Sequence, residues 1–201
     1  DFKVRSSYFR MKMSHRLYRD QLEFDVDFDN LIDSSFQSLE YQSPTDLLKR
    51  FKINVIGKEV LDYGGVTRQW FTSLSKELFN QNYGLFICPG NHHNYQPSPK
   101  SYIQSNHLQL FKFAGSFIAR ALIEGVCIDA HFTSSFCKII LHRNPCLKDL
   151  EDFDEELFNN LTWMYNNDVT CLDLYFETDC NHFGEYKTIP LKENGSNISL
   201  T

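Results

Sequence analysis

Thiols, imidazoles and carboxylates are the side chains of this sequence that could do chemistry, and their spacing decides which chemistry is open. Six cysteines, Cys88, Cys127, Cys137, Cys146, Cys171 and Cys180, are candidate nucleophiles, because a thiolate attacks thioester and peptide carbonyls. Cys127, Cys137 and Cys171 fall inside apolar periodic stretches, which predicts core positions rather than poised thiolates. Metal binding needs converging ligands at short, fixed spacing. The nearest approaches are His92-His93 and Cys180-x-His182, without any Cys-x-x-Cys, so neither a metal site nor a cofactor is expected. The acids Asp149, Glu151, Asp152, Asp154, Glu155 and Glu156 could supply a general acid and base. The start of a helix, whose dipole favours negative charge, explains them better. Asp62-Tyr63-Gly64-Gly65 precedes a helical pattern and could cradle an anion on free amides, yet no Lys or Ser/Thr follows at the phosphate-loop offset. A tight turn with positive backbone angles, Arg68 nearby, is the expectation there. Gly-x-Ser-x-Gly, Walker, dinucleotide and His-Glu-x-x-His signatures are missing, and no catalytic residue is assigned.

Those side chains must be held by elements whose periods can be read. Residues 1–13 set Phe2, Val4, Tyr8, Phe9, Met11 and Met13 among basic residues, an alternation that predicts an edge strand. From Asn30 to Tyr41, Leu31, Ile32, Phe36 and Leu39 repeat at helical spacing behind Asp29 or Asn30 as cap. Ser43-Pro44-Thr45-Asp46 breaks that helix, Phe51, Ile53 and Val55 alternate as a strand, and Val66, Trp70, Leu74 and Leu78 mark the next helix. Residues 88–105 read as loop or hairpin. The strongest helix runs from Leu108 to Glu124, with Leu110, Phe113, Phe117, Ile118 and Leu122 beside the small residues Ala114, Gly115, Ala119 and Ala121 that permit close packing. Short helices follow at Thr133 to Leu141 and at Asp154 to Tyr165. The period then falls to two over Leu172, Leu174 and Phe176 and again over Tyr186, Thr188 and Pro190, a closing hairpin around Asn181-His182-Phe183-Gly184. The expected class is α+β, a mainly helical scaffold with short antiparallel strands and hairpins in one domain.

Apolar residues make up 42% and aromatics 15% of the 201 residues, enough to build a core. A formal charge of -6 argues against nucleic acid or anionic lipid as general partners and favours neutral or basic partner surfaces. No run reaches the length of a membrane span, which predicts no membrane insertion and a soluble, cytoplasmic protein with the nucleus also open to it. Cysteines this scattered predict reduced, mostly buried thiols rather than a disulfide framework.

At Leu61-Asp62-Tyr63-Gly64-Gly65-Val66-Thr67-Arg68-Gln69-Trp70-Phe71 the sequence resembles the leucine, aspartate, aromatic, diglycine and arginine signature of HECT ubiquitin ligases. Further segments resemble the family in order. They are Phe79-Asn80-Gln81-Asn82-Tyr83-Gly84-Leu85-Phe86, Phe111-Lys112-Phe113-Ala114-Gly115, Cys137-Lys138-Ile139-Ile140-Leu141, Asn160-Leu161-Thr162-Trp163-Met164, Leu172-Asp173-Leu174 and Leu191-Lys192-Glu193-Asn194-Gly195. The resemblance covers nearly the whole chain and is closest, in loop lengths, to the subfamily whose full-length members carry C2 and WW modules.

The resemblance implies that residues 1–201 are the larger subdomain of a HECT amino-terminal lobe, the subdomain that docks the conjugating enzyme and the carboxy-terminal lobe being absent. It implies a ubiquitin transferase as parent. A conjugating enzyme hands thioester-bound ubiquitin to a cysteine of the carboxy-terminal lobe, which then acylates a substrate lysine. That cysteine sits in a threonine, cysteine, phenylalanine context that none of the six has, so this stretch alone is expected to be inactive. The implied partners are ubiquitin, the conjugating enzyme, mainly through the missing subdomain, and protein substrates. A second, non-covalent ubiquitin site maps onto Asn80, Tyr83, Leu157, Phe183 and Tyr186, residues suited to ubiquitin's apolar patch. Ordinary packing of the hairpin on a helix is the other reading of the same residues. Some members carry tyrosine where Cys88 stands here, and a smaller residue at Tyr186. The competing functions are a stand-alone ubiquitin- or protein-binding module, and a metal-dependent or cysteine hydrolase whose convergent site is not visible.

Overall fold

Leu22, Phe24 and Val26 alternate with Gln21, Glu23 and Asp25, and the chain forms the strand that such a period favours. The structure, a computed structural model, describes residues 1–14, 20–57, 65–89, 94–182 and 185–200. Strand β1 (Gln21–Val26) leads through helix α2 (Leu31–Leu39) into β2 (Arg50–Val55). The two strands run parallel, Phe24 opposite Ile53, as a helical crossover between them requires. Phe24, Val26, Phe51 and Ile53 are buried on one face. On the exposed face Glu23 accepts from Lys52 at 2.8 Å and Asn54 at 3.1 Å, and Asp25 accepts from Asn54 at 3.0 Å.

Helix α3 (Gly65–Leu78) buries Val66, Trp70, Phe71, Leu74 and Leu78, the side that its fourfold spacing predicts. The Trp70 ring meets Phe24, Phe51 and Phe117 edge-on at centroid distances of 5.8, 5.9 and 5.5 Å. Gly65 is the first residue of α3 and has no positive φ, so the expected strained turn does not extend to it; Asp62, Tyr63 and Gly64 lie outside the described residues. Helix α4 (His107–Glu124) is the core helix, burying Leu110, Phe113, Ala114, Phe117 and Ala121. Gly115, Ala119 and Leu122 face outward, so close packing uses Ala114 and Ala121 only. α4 also buries Arg120, whose guanidinium stacks 4.3 Å over the Phe51 ring, donates to the Leu47 carbonyl at 3.0 Å and pairs with Glu124. Burial pushes its pKa down, opposed by Glu124, and its Nε has no acceptor.

Strand β3 (Phe86–Ile87) pairs antiparallel with β4 (Asn94–Pro97), and β4 pairs in parallel with β5 (His131–Phe132). Helices α5 (Ser134–Ile140) and α6 (Glu155–Asn166) follow, and β6 (Glu177–His182) with β7 (Glu185–Pro190) makes an antiparallel hairpin. The class is α+β, with parallel pairings at β1–β2 and β4–β5 where antiparallel strands were expected. Residues 1–13 depart from expectation. They lie in helix α1 (Phe2–Ser14) rather than an edge strand, because Phe2, Phe9 and Met13 form one helical face and Val4, Tyr8 and Met11 another, two stripes that together imitate alternation. The apolar trio Leu172, Leu174 and Phe176 precedes β6, meeting the segment after β7 instead: Leu191 N donates to the Phe176 carbonyl at 2.8 Å, and Leu200 N to that of Leu174 at 2.8 Å. No described helix is long and apolar enough to cross a membrane.

Candidate functional site

The stretch Asn80 to Tyr83 is a turn pinned at both ends by burial. Phe79 packs against Phe86, Tyr95 and Phe132 at centroid distances of 4.9, 5.7 and 5.6 Å, and Leu85 is fully buried. Between them the Asn80 side chain accepts from Asn82 N at 2.9 Å and starts a 3-10 turn over Gln81–Tyr83. Gly84, with φ of 81°, ends it in the left-handed region that favours glycine. The amide of Gln104 donates to the Tyr83 carbonyl and ties the turn to the segment before α4. Tyr83 is half-buried against the core, and that burial, with Asp33 as the smaller cause, pushes its phenol pKa up. One part of the ring is held while the rest is presented.

The other expected residues arrive from separate elements. Leu157 sits in the first turn of α6, its N–H donating to Asp154 Oδ1 at 2.9 Å, and is 40% exposed. Tyr186 lies on β7 opposite Asn181 and is 77% exposed, so packing between hairpin and helix does not occupy it. Phe183 lies outside the described residues. Asn80 and Tyr83 therefore share one turn, and Leu157 and Tyr186 present apolar surface from α6 and the hairpin. Ile139 and Ile140 on α5 and Trp163 on α6 are also exposed. Periodicity alone could not have found them, because an apolar residue at helical spacing reads as core.

The acidic run serves structure. Asp149 is buried and paired with Lys138 at 2.7 Å, and it accepts from Cys146 N at 2.7 Å. The Lys138 ammonium, then the Cys146 amide, hold its carboxyl below the usual aspartate range, and the same bond raises Lys138. Asp152 accepts from Ser134 Oγ at 2.8 Å, and Asp154 caps α6. These carboxylates brace α5 against the start of α6 rather than converge as an acid and base.

The thiols depart from the core expectation. All six are free, five are exposed, and Cys88 is part-buried. Cys127 lies just past the end of α4, at the rim of a cleft of about 810 Å³ that Arg50, Lys52 and Arg68 also line. Cys137 lies on the outer side of α5 and Cys171 in a 3-10 turn, where their neighbours' period marks a face that the core does not cover. Partial desolvation raises the Cys137 pKa, which disfavours its thiolate. Lys138 Nζ stands 3.4 Å from Cys146 Sγ. Among the described residues no hydrogen bond joins a histidine to a cysteine, and no three of His, Cys, Asp and Glu gather as a metal site. His92 and His93 lie outside the described residues.

Comparison with known proteins gives one family model, HECT-domain (ubiquitin-transferase), matching residues 72–201. The chain is 37% identical over 203 residues to the E3 ubiquitin-protein ligase RSP5 of Saccharomyces cerevisiae, covering 100% of this chain and 25% of that protein. It is 38% identical over 203 residues to the E3 ubiquitin-protein ligase pub1 of Schizosaccharomyces pombe, covering 100% and 26%. It is 38% identical over 204 residues to the probable E3 ubiquitin-protein ligase hulA of Aspergillus fumigatus, covering 100% and 25%. The chain spans about a quarter of the length of the curated relatives it matches.

Proposed function

Because the chain belongs to the HECT-domain (ubiquitin-transferase) family, we propose that it is the platform of a ubiquitin ligase, the larger subdomain of an amino-terminal lobe. The thioester-carrying sulfur of that ligase is none of the six cysteines here. The observation that carries this reading is the setting of the thiols: five are exposed at separate places, Cys88 is part-buried, and none has an imidazole bonded to it among the described residues. In the parent, a thiolate would attack the carbonyl carbon of the conjugating enzyme's thioester and release that enzyme's thiol. A substrate amine would then attack the new thioester, forming an amide and releasing the ligase cysteine. Cysteine chemistry of this kind needs a rigid body to position the partners, and the Trp70-centred core supplies one.

The platform also holds ubiquitin without a covalent bond, through Asn80, Tyr83, Leu157, Phe183 and Tyr186. The exposure of Tyr186 and Leu157 and the braced presentation of Tyr83 support this, because apolar and aromatic side chains fixed at a surface are the usual anchors of a protein interface. Titration of isotope-labelled ubiquitin with this chain tests it. The reading expects chemical-shift changes around ubiquitin's apolar patch that Tyr83→Ala and Tyr186→Ala each weaken about tenfold, an interface hot spot being of that size. Unchanged shifts with the unsubstituted chain would remove the ubiquitin site and leave the platform reading standing.

A further inference from the structure

Helix α1 presents a second apolar face, turned to solvent rather than to the core. At 3.6 residues per turn, Phe2, Phe9 and Met13 lie on one side and Val4, Tyr8 and Met11 on the opposite side. On the first side Phe9 and Met13 are part-buried, and α1 rests against α4, with the Arg10 guanidinium beside Gly125 at the C-terminal end of that helix. On the second side Val4, Tyr8 and Met11 are 67%, 56% and 53% exposed. Cations border this row: Arg5 and Lys12 on one flank, with Lys12 Nζ 5.3 Å from the Tyr8 ring centre, and Lys3 on the other. None of these three makes an ion pair with another described residue. The charge is local, since residues 1–19 hold six of the 20 Lys and Arg but one of the 26 Asp and Glu.

We propose that α1 is a docking helix whose Val4, Tyr8 and Met11 row seats in an apolar groove with a carboxylate rim on a partner protein, of the kind that a calcium-loaded EF-hand lobe opens. The spacing i, i+4, i+7 is that of anchors in helix-in-groove recognition, and a groove has side walls on which the flanking cations find carboxylates. A lipid surface fits less well. A row one residue wide touches a flat surface along its crest only, and the remainder of the chain is strongly acidic, which opposes approach to anionic lipid. The net charge of -6 misses this helix because it averages a basic segment with an acidic body.

Calcium-loaded calmodulin, labelled with a fluorophore, is the probe, and the whole 201-residue chain is the titrant. The expected result is saturable binding that a calcium chelator abolishes, that weakens as salt rises, and that drops at least about tenfold in the Val4→Glu, Tyr8→Glu double variant. Both positions are exposed, so circular dichroism of that variant should match the unsubstituted chain. Lys3→Glu with Lys12→Glu, which leaves the apolar row intact, should also weaken binding. No saturable binding, or binding that these variants leave unchanged, overturns the proposal. So does adsorption to phosphatidylcholine vesicles containing phosphatidylserine in the absence of calmodulin binding, which would assign the face to lipid. Concentration-dependent dimerisation abolished by Val4→Glu and Tyr8→Glu would overturn it in favour of a second copy of this chain.

Discussion

Trp70 Nε1 donates a 2.8 Å hydrogen bond to Ser35 Oγ, and both side chains are closed to solvent, so one polar contact joins α3 to α2 inside an aromatic core. Ser35→Ala strands a buried indole N–H and should lower unfolding stability by about 1–3 kcal/mol. Trp70→Phe together with Ser35→Ala removes both polar partners and should cost less than the sum of the two single changes. Denaturant titration of the three variants measures this coupling; strict additivity would mean that the bond contributes nothing.

Arg120 is the buried cation of the core, held by Leu47, Glu124 and the Phe51 ring. Arg120→Ala loses a charged hydrogen bond and its stacking, a change of about 2 kcal/mol or more. Arg120→Met keeps most of the stem and removes the charge whose Nε has no acceptor, so it should be tolerated better. Thermal unfolding that ranks Met below Ala would contradict this view of the site.

The Lys138 and Asp149 pair gives a pH signature. The Asp149 pKa is lowered, so its stabilising contribution is full above the unfolded value near 3.8 and fades as pH falls through its folded value. The Lys138 pKa is raised, so its contribution is full below 10.5 and fades as pH rises through its folded value. The difference in unfolding midpoint between the unsubstituted chain and Asp149→Asn should therefore be largest between these limits and close in acid. A difference that stays constant from pH 7 to pH 2 would show that the pair is not its source.

Tyr83 and Tyr186 should separate in their effect on stability. Tyr83→Ala removes a half-buried ring and should cost about 1–2 kcal/mol, whereas Tyr186→Ala should stay within about 0.5 kcal/mol. Equal losses in chemical denaturation would mean that Tyr186 packs in solution as Tyr83 does.

The contrast between α4 and α1 shows what the sequence could reveal. Leu110, Phe113 and Phe117 repeat on one side of α4 alone, so period and burial coincide and the core helix is plain from the residues alone. In α1 apolar residues stand on opposite sides and cancel the helical signal. β1 goes unassigned from the sequence although Leu22, Phe24 and Val26 alternate, and its parallel pairing with β2 is a long-range choice that local period does not encode. The Tyr83 turn carries its own marks, Asn80 as cap and Gly84 as left-handed end. Leu157 and Tyr186 carry none, because helical and strand spacing fix which side a residue takes and leave open whether anything covers that side. The exposed cysteines show the same gap: Cys137 keeps the period of α5, on the side facing solvent.

The most direct measurement mixes this chain with activating enzyme, conjugating enzyme, ubiquitin and ATP and resolves the products on a non-reducing gel. A platform whose thiols have no bonded imidazole among the described residues gives no thiol-sensitive ubiquitin adduct of its own, only the activating and conjugating enzymes being charged. A reducible adduct on any of Cys88, Cys127, Cys137, Cys146, Cys171 or Cys180 would contradict it and place the reactive sulfur within these residues.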